Sequence, residues 1–254
     1  MNIGDDREKI AAEAAASMPD EPAELLNLAL ESVSEFHAGV MVSDQNKIVT
    51  AAIRYEAVIW KMNGGKFFGC FADEEAAGKI VQRHCEAPLG QVPLWGQSGK
   101  FLIEVEGIRA AVEFRFWTAQ RAHFSFHVVD LDRLFISETG YRSHFEEVYN
   151  GMTVDEVAIA IFNNFLGEKR LEIAESSREW LINNSLSWIE NLAPDACRSL
   201  SIPSGFVLVD VILPSYKAYI VRKWAKQAQK NIDEINRNET RSKEHGGKRG
   251  KHPS

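Results

Sequence analysis

Cysteine is scarce in this sequence, and long apolar runs are absent. Three cysteines stand among 254 residues, namely Cys70, Cys85 and Cys197. This odd number has no disulfide-like spacing, which is typical of free thiols in a reducing compartment. No apolar run approaches the ~18 residues of a membrane span. The polar, acidic start, Met-Asn-Ile-Gly-Asp-Asp-Arg, is unlike a secretory signal. We therefore predict a cytoplasmic protein with no membrane partner.

Complete catalytic motifs are also missing. Gly96-Gln-Ser-Gly-Lys100 contains the Gly-Lys pair of a phosphate-binding loop. However, Leu94 stands where the first glycine is required, and Phe101 stands where Ser or Thr is required. Neither Gly-x-Ser-x-Gly nor His-Glu-x-x-His occurs. These absences leave no support for the corresponding nucleotide-binding, hydrolase or metalloprotease sites.

A partial metal motif occurs around the second cysteine. His84-Cys85-Glu86 has the His-x-Glu spacing of zinc deaminases but lacks the Pro-Cys-x-x-Cys that follows in those enzymes. Cys70, His84 and Cys85 could still contribute to a metal site. Free cysteines are more often simply buried, so we predict no resident metal and no cofactor.

Charge is distributed unevenly along the chain. The net charge is −7, and 45% of the residues are hydrophobic, enough for a substantial core. Residues 222–254 carry ten Lys and Arg against four Asp and Glu, which leaves 19 against 32 in the remainder. We expect an acidic domain over residues 1–237, with the alternative of a division into a helical part (1–99) and a part made of the sheet and further helices (100–237). A disordered basic tail would follow over residues 238–254.

Alternating apolar residues predict a central sheet. Phe101, Ile103 and Val105 have the period of two that is typical of a strand, and Glu106-Gly107 fits a two-residue hairpin turn. Glu104 would then lie opposite Arg109. A second strand would run to Trp117 and a third from Ala122 to Asp130. Pairing Phe116 with Phe124 would place Glu113 opposite His127, Arg115 opposite Ser125 and Trp117 opposite His123.

Helical spacing and capping signals surround this meander. Helices are predicted over residues 5–17, 20–37, 43–62, 73–85, 153–167, 169–192 and 214–236, with further strands over 66–71 and 205–213. Thr153-Val-Asp-Glu156 is a capping box. We predict an α+β fold: a central antiparallel β-meander packed on one face by helices, helical N- and C-terminal regions and a disordered basic C-terminal tail.

The polar face of the sheet has two interpretations. It could be the solvated side of an antiparallel sheet, or it could form a site with the 130–144 segment. For the site, the candidate catalytic residues are Glu113, His127 and His144. The candidate binding residues there are Arg115, His123, Asp130, Asp132 and Arg142.

The C-terminal region also has two interpretations. Arg222, Lys223, Lys226 and Lys230 flank an apolar helical stripe, and the tail adds further basic residues. The stripe could dock as an amphipathic helix, or the basic residues could hold phosphates.

Two functional hypotheses follow. The first is a non-enzymatic interaction or regulatory protein of the bacterial cytoplasm. It would bind a protein partner, or a nucleic acid through the basic C-terminal helix and tail. The alternative is a metal-assisted hydrolase that acts on phosphodiester or nucleotide substrates through Glu113, His127 and the 130–144 loop. The sequence does not indicate an oligomeric state.

Overall fold

The computed structural model describes residues 3–118, 121–148, 151–184, 187–191 and 198–199. In this part of the chain the helices are α1 (Ile3–Ala15), α2 (Pro22–Met41), α3 (Gln45–Met62), α4 (Ala77–Cys85), α5 (Val154–Glu168), α6 (Glu175–Asn183) and α7 (Ser187–Glu190). The strands are β1 (Gly99–Val105), β2 (Ile108–Thr118), β3 (Arg121–Val128), β4 (Tyr141–Glu146) and β5 (Arg198–Ser199). Helices, an antiparallel meander and further helices follow one another, which confirms the predicted α+β class.

Several predictions fall on residues outside this description. They are the strand over 205–213, the helix over 214–236 and the tail over 238–254. Cys197 is likewise outside the described residues. Within the described part, no helix combines the length and apolar character that crossing a bilayer requires.

Helices α2 and α3 form an antiparallel hairpin. Glu35 near the end of α2 pairs with Arg54 of α3, and Asp20 before α2 pairs with Lys61 near the end of α3. Three residues join the helices, and the middle one, Ser43, has a left-handed φ of 58°. Pro22 fixes φ in the first turn of α2, where its missing N–H costs nothing. The hairpin and α4 share a core of Leu25, Ala29, Val33, Val58, Ile59, Cys70, Val81 and Cys85.

The described strands form one sheet in the order β4-β3-β2-β1-β5. Strands β1 to β4 are antiparallel neighbours, whereas β5 runs parallel to β1. The predicted turn between β1 and β2 is confirmed, because Glu106 and Gly107 both have positive φ and Glu104 lies opposite Arg109. Two positive φ values give a turn whose twist matches that of the flanking strands.

The predicted register of β2 and β3 was wrong by two residues. Phe114, rather than Phe116, lies opposite Phe124. Glu113 therefore lies opposite Ser125, Arg115 opposite His123 and Ala111 opposite His127. The hairpin is tighter than predicted, since Thr118 pairs with Arg121. A shift of two preserves the side-chain faces, so the division into apolar and polar faces still holds.

One face of the sheet, here called the core face, packs against helices. Phe101, Val112, Phe114, Phe124 and Phe126 are buried there. Val157, Ile161, Phe162 and Phe165 of α5 cover them, together with Phe36 and Val40 of α2 and Ile48 and Ala51 of α3. The buried Trp95 joins the helical part to the sheet. Its indole N–H donates to the Met152 carbonyl at 2.6 Å, and its ring meets Phe114 edge-on at 5.8 Å.

Other predicted boundaries also required correction. Residues 66–71 form turns rather than a strand, and α4 begins at Ala77 rather than Asp73. The helix predicted over 169–192 is divided, because Leu171 makes an antiparallel bridge with Phe135 before α6 begins. The predicted capping at Thr153 is confirmed: its backbone N–H donates to the Glu156 carboxylate at 2.7 Å. Arg142 and His144 belong to β4 rather than to a loop.

Candidate functional site

The face of the sheet opposite the core face, here called the outer face, gathers most of the predicted polar residues. Alternation along the strands places Glu113 and Arg115 of β2 on this face. They share it with His123, Ser125 and His127 of β3 and Tyr141, Ser143 and Phe145 of β4. The rows across the strands are Ala111–His127–Tyr141, Glu113–Ser125–Ser143 and Arg115–His123–Phe145.

Glu113 is bound to arginine rather than to histidine. Its Oε1 accepts hydrogen bonds from Arg115 Nε at 3.1 Å and Nη2 at 2.7 Å. His127 Nε2 lies 4.0 Å from Glu113 Oε2, too far for a hydrogen bond. The carboxylate is therefore neutralised within its own strand, and the predicted Glu113–His127 pair meets only through a long electrostatic contact.

His127 lies in an apolar setting beneath α7. Its ring contacts Tyr141 at 5.1 Å and meets the edge of Trp188 at 5.9 Å. Burial lowers the pKa of His127, Glu113 opposes that change, and Lys100 lowers the pKa further. The imidazole is therefore favoured in its neutral form, and its Nε2 finds no hydrogen-bond partner among the described residues.

His123 lies beside an exposed aromatic residue. Its ring and that of Phe145 have centroids 4.5 Å apart. Burial is the main cause of the lowered pKa of His123, with Arg115 and His144 contributing in the same direction and Glu113 opposing them. Phe145 remains 59% exposed and Tyr141 44% exposed, so an aromatic pair on the outer face of β4 faces solvent.

His144 and Arg142 lie on the core-face side of β4, across the sheet from Glu113 and His127. His144 Nε2 is 2.9 Å from Glu146 Oε2. Arg142 stacks on the Phe165 ring at 3.5 Å and donates to Glu168 at 3.0 Å. The alternative catalytic set of Glu113, His127 and His144 is thus divided between two faces. No group of three or more His, Cys, Asp and Glu among the described residues is placed to hold a metal ion.

The two predicted aspartates of the 129–140 loop differ in their surroundings. Asp130 makes a two-pronged ion pair with Arg109 of β2, and that guanidinium holds the pKa of Asp130 below its usual value despite partial burial. Asp132 is exposed. This ion pair attaches the loop to β2, so Asp130 has a structural role. The basic residues Arg222, Lys223, Lys226 and Lys230 lie outside the described residues.

A second surface, not singled out from the sequence, is the tip of the α2–α3 hairpin. This hairpin tip comprises residues 42–50, from the turn into the first turns of α3. Gly39 makes the tight turn possible, because a Cβ there would lie 3.0 Å from Ile48 Cγ1 and 3.1 Å from the Ile48 backbone nitrogen. Asp44 caps α3 by accepting from the Lys47 N–H at 3.1 Å. Val42, Ser43, Asp44, Asn46, Lys47, Val49 and Thr50 are all exposed.

The hairpin tip is also poor in acidic residues, as is the stretch 57–72 of the helical region, which contains none. Residues 10–84 contain six Lys and Arg against eleven Asp and Glu, a net charge of −5. Between Glu35 and Glu56 the single acidic residue is Asp44, and its carboxylate accepts from the start of α3. Lys47 makes no salt bridge with the described residues. In the sequence, the hairpin tip could have been recognised by this low density of acidic residues between Glu35 and Glu56.

Family comparisons divide the chain in the same way as the fold. Residues 10–84 match a model described as the KlcB N-terminal DNA-binding domain, which spans α2, α3 and nearly all of α4. Residues 98–180 match a model described as the KlcB third domain, which spans the meander and α5. No solved structure matches the chain.

Curated relatives extend this similarity along the chain. A Protein KlcB of Escherichia coli is 45% identical over 259 residues, covering 99% of this chain and 65% of that protein. A second Protein KlcB of Escherichia coli is 38% identical over 241 residues, covering 90% of this chain and 52% of that protein. The TrfB transcriptional repressor protein of Escherichia coli is 28% identical over 88 residues, which are 35% of this chain and 87% of the repressor. Nearly the whole chain is therefore similar to KlcB proteins, of which it spans about two thirds in one case and half in the other.

Proposed function

We propose that this protein is a non-enzymatic, nucleic-acid-binding regulator that contacts duplex DNA through its N-terminal helical region. The observation that carries the proposal is the match of residues 10–84 to a domain described as DNA-binding. Similarity to a transcriptional repressor supports a regulatory role. The outer face of the sheet favours no hydrolytic chemistry, since Glu113 is bound by Arg115 and His144 lies on the other face.

Within this region the hairpin tip is the surface best suited to DNA. An acidic domain repels phosphates, so contact requires a patch where acidic side chains are sparse. The tip offers Lys47 for a phosphate contact and the exposed amide of Asn46, a side-chain type that reads adenine in the major groove. The positive end of the helix dipole at the start of α3, where Asp44 caps the Lys47 N–H, also favours an anion. Residues in the first turns of α3 would thus make both kinds of contact.

The test compares two exposed lysines near opposite ends of α3. Lys47 is in the first turn, and Lys66 lies four residues beyond Met62, the last residue of the helix. The helix rises ~23 Å between Lys47 and Met62. We expect Lys47→Ala to weaken binding of a fluorescein-labelled DNA duplex at low salt by about three- to tenfold. It should also flatten the dependence of log K on log salt by about 0.9, the contribution of one phosphate contact. Lys66→Ala, the matched control, should change neither quantity.

Recognition of the DNA sequence is tested separately from contact with the DNA phosphates. Asn46→Ala should reduce the preference for a selected duplex over a scrambled one while leaving the salt slope unchanged. Equal losses for Lys47→Ala and Lys66→Ala would move the interface away from the hairpin tip. Failure of the intact protein to bind any duplex at low salt would reject DNA binding altogether.

Two further binding surfaces remain predictions. One is the outer face with the 129–140 loop, through Arg115, His123, Asp130 and Asp132, which we propose as a surface for a protein partner. Arg142, predicted for the same surface, lies on the core-face side of β4. The other is the basic C-terminal helix and tail, with Arg222, Lys223, Lys226 and Lys230, which we propose as an additional phosphate contact. The exposed Arg115 and the Tyr141–Phe145 pair support the first of these surfaces.

A further inference from the structure

Strand β4 forms one edge of the sheet in the described part of the chain. The Val128 N–H donates to the Gly140 carbonyl at 2.9 Å, which fixes the hydrogen-bonding phase of the β3–β4 pair. In an antiparallel pair, alternate residues bond to the neighbouring strand and the residues between them point away from it. The backbone groups of Tyr141, Ser143 and Phe145 therefore point outward from the edge. The Tyr141 carbonyl accepts from Thr139 Oγ1 at 3.2 Å and has a second lone pair with which it can accept from another strand.

The side chains of these three residues all lie on the outer face. Tyr141 and Phe145 are large, apolar and about half exposed, and they flank the small Ser143. The charged residues of the strand lie on the other side, where Arg142 is held by Glu168 and Phe165 and His144 is held by Glu146. Strand edges are commonly protected by proline, a bulge or a projecting lysine, and β4 contains none of these devices.

We infer that β4 pairs with β4 of a second copy of this chain, in an antiparallel, two-fold symmetric arrangement centred on Ser143. Each Tyr141 would then lie opposite Phe145 of the other copy, giving two aromatic cross-strand pairs. The outward backbone groups of Tyr141, Ser143 and Phe145 would form six hydrogen bonds across the interface. The four-stranded meanders of the two copies would become one continuous sheet.

The self-complementary order of side chains is what selects a second copy as the partner. A two-fold axis requires the same patch to match itself, and a small residue midway between two aromatic residues does so. On the other side of the sheet, Arg142 would lie opposite His144 of the second copy. This is tolerated because each already has a carboxylate partner in its own chain. Centring the axis on His144 instead would leave Phe145 opposite Ser143, without an aromatic partner.

The first experiment is sedimentation equilibrium of the intact chain over about 1–100 μM. We expect a monomer–dimer equilibrium that Ser143→Pro weakens by at least about tenfold. Proline removes the outward N–H at the centre of the interface while sparing every bond to β3. Ser143→Thr, the matched control, retains that N–H and should dimerise. A chain that remains monomeric at 100 μM overturns the inference, as does Ser143→Pro dimerising as tightly as the parent.

Cysteine cross-linking tests the register without disturbing the fold. In a Cys197→Ser background, oxidised Ser143→Cys should form a disulfide-linked dimer, because paired residues at the axis are ~5.5 Å apart between Cα atoms. His144→Cys should not, since its two copies would be roughly 8 Å apart. Cross-linking through residue 144 alone contradicts this register. Protection of residues 141, 143 and 145 from hydrogen exchange in a monomer would show that another segment of the same chain covers the edge.

Discussion

At the residue scale, three histidines share one consequence of burial. His37, His123 and His127 each have a pKa below the ordinary value of 6.5, with burial as the first cause. When protonation is weaker in the folded chain than in the unfolded chain, the unfolded chain binds more protons below pH 6.5. Stability is therefore intact above that pH and falls as the pH drops from 6.5 through the folded pKa values.

His127 provides the test of this dependence. Glu113 and Lys100 are the charged groups that act on it, and Tyr141 and Trp188 contact its ring. The difference in unfolding free energy between pH 7.5 and pH 5.5, measured in urea, should be smaller in His127→Gln than in the parent. His84→Gln, at an exposed position of α4, is the control and should retain the parent's dependence. An unchanged pH dependence in His127→Gln would mean that this histidine does not contribute.

At the element scale, the loop that leads into β4 depends on a glycine. Gly140 has φ of +70°, and a Cβ there would lie 2.7 Å from both Leu181 Cδ1 and Val128 Cγ1. Gly64 has the same φ of +70°, but nothing lies within 4 Å of its Cβ position. The two positions therefore separate the cost of the backbone conformation from the cost of steric overlap.

We expect Gly64→Ala to lower the unfolding free energy by about 1 kcal/mol, the cost of a left-handed conformation for a residue with a Cβ. Gly140→Ala should lower it by about 2–4 kcal/mol, because overpacking against Val128 adds to that cost. Urea denaturation of both variants measures the difference. Equal losses would show that the loop before β4 relaxes around the added methyl group.

The elements also show where sequence patterns are sufficient. The alternation of apolar and polar residues identified both faces of β2 and β3, and Glu106-Gly107 identified the hairpin between β1 and β2. Both signals are local in the sequence. Alternation repeats every two residues, however, so it could not distinguish Phe114 from Phe116 as the partner of Phe124. Strand β4 was not predicted, because both of its faces are partly exposed and neither consists of apolar residues alone. The bridge between Phe135 and Leu171 is a long-range contact that no local pattern indicates.

The candidate surfaces were less predictable than the fold. Side-chain type and strand parity brought Glu113 and His127 to one face, but the Arg115–Glu113 pair depends on rotamers that the sequence does not specify. The hairpin tip was overlooked because its interest lies in sparse acidic charge rather than in a motif. Its polar residues resemble those of many helix starts, and the family match draws attention to them.

At the scale of the whole molecule, the two proposed surfaces belong to different regions. The hairpin tip lies in the helical part, and β4 is the edge strand of the meander. A substitution in one of these surfaces can therefore leave the other unchanged. Under the dimer proposal, a two-fold symmetric protein would carry two hairpin tips and favour DNA with two-fold related half-sites. DNA affinity should then depend on protein concentration in the parent but much less in Ser143→Pro, whereas Lys47→Ala should weaken binding without changing the oligomeric state.

The basic C-terminal tail is the remaining whole-molecule prediction. Residues 238–254 contain five Lys and Arg against two Asp and Glu and no large apolar residue. From this composition we predict that they bury too little surface to offset the entropy of ordering. Deleting them should change the melting temperature by no more than about 2 °C. If the tail contacts DNA, the deletion should weaken binding more at low than at high salt and flatten the log K–log salt slope by about 0.9 for each lost contact.

Combining the deletion with Lys47→Ala shows whether tail and hairpin tip contribute independently. Free-energy losses from separate, non-interacting contacts add, so the double variant should show the sum of the two losses and of the two slope changes. Fluorescence anisotropy at several salt concentrations measures both quantities. A deletion that leaves the salt slope unchanged would remove the tail from the interface and leave the hairpin tip as the proposed phosphate contact. A deletion that unfolds the protein would instead show that the tail stabilises the fold.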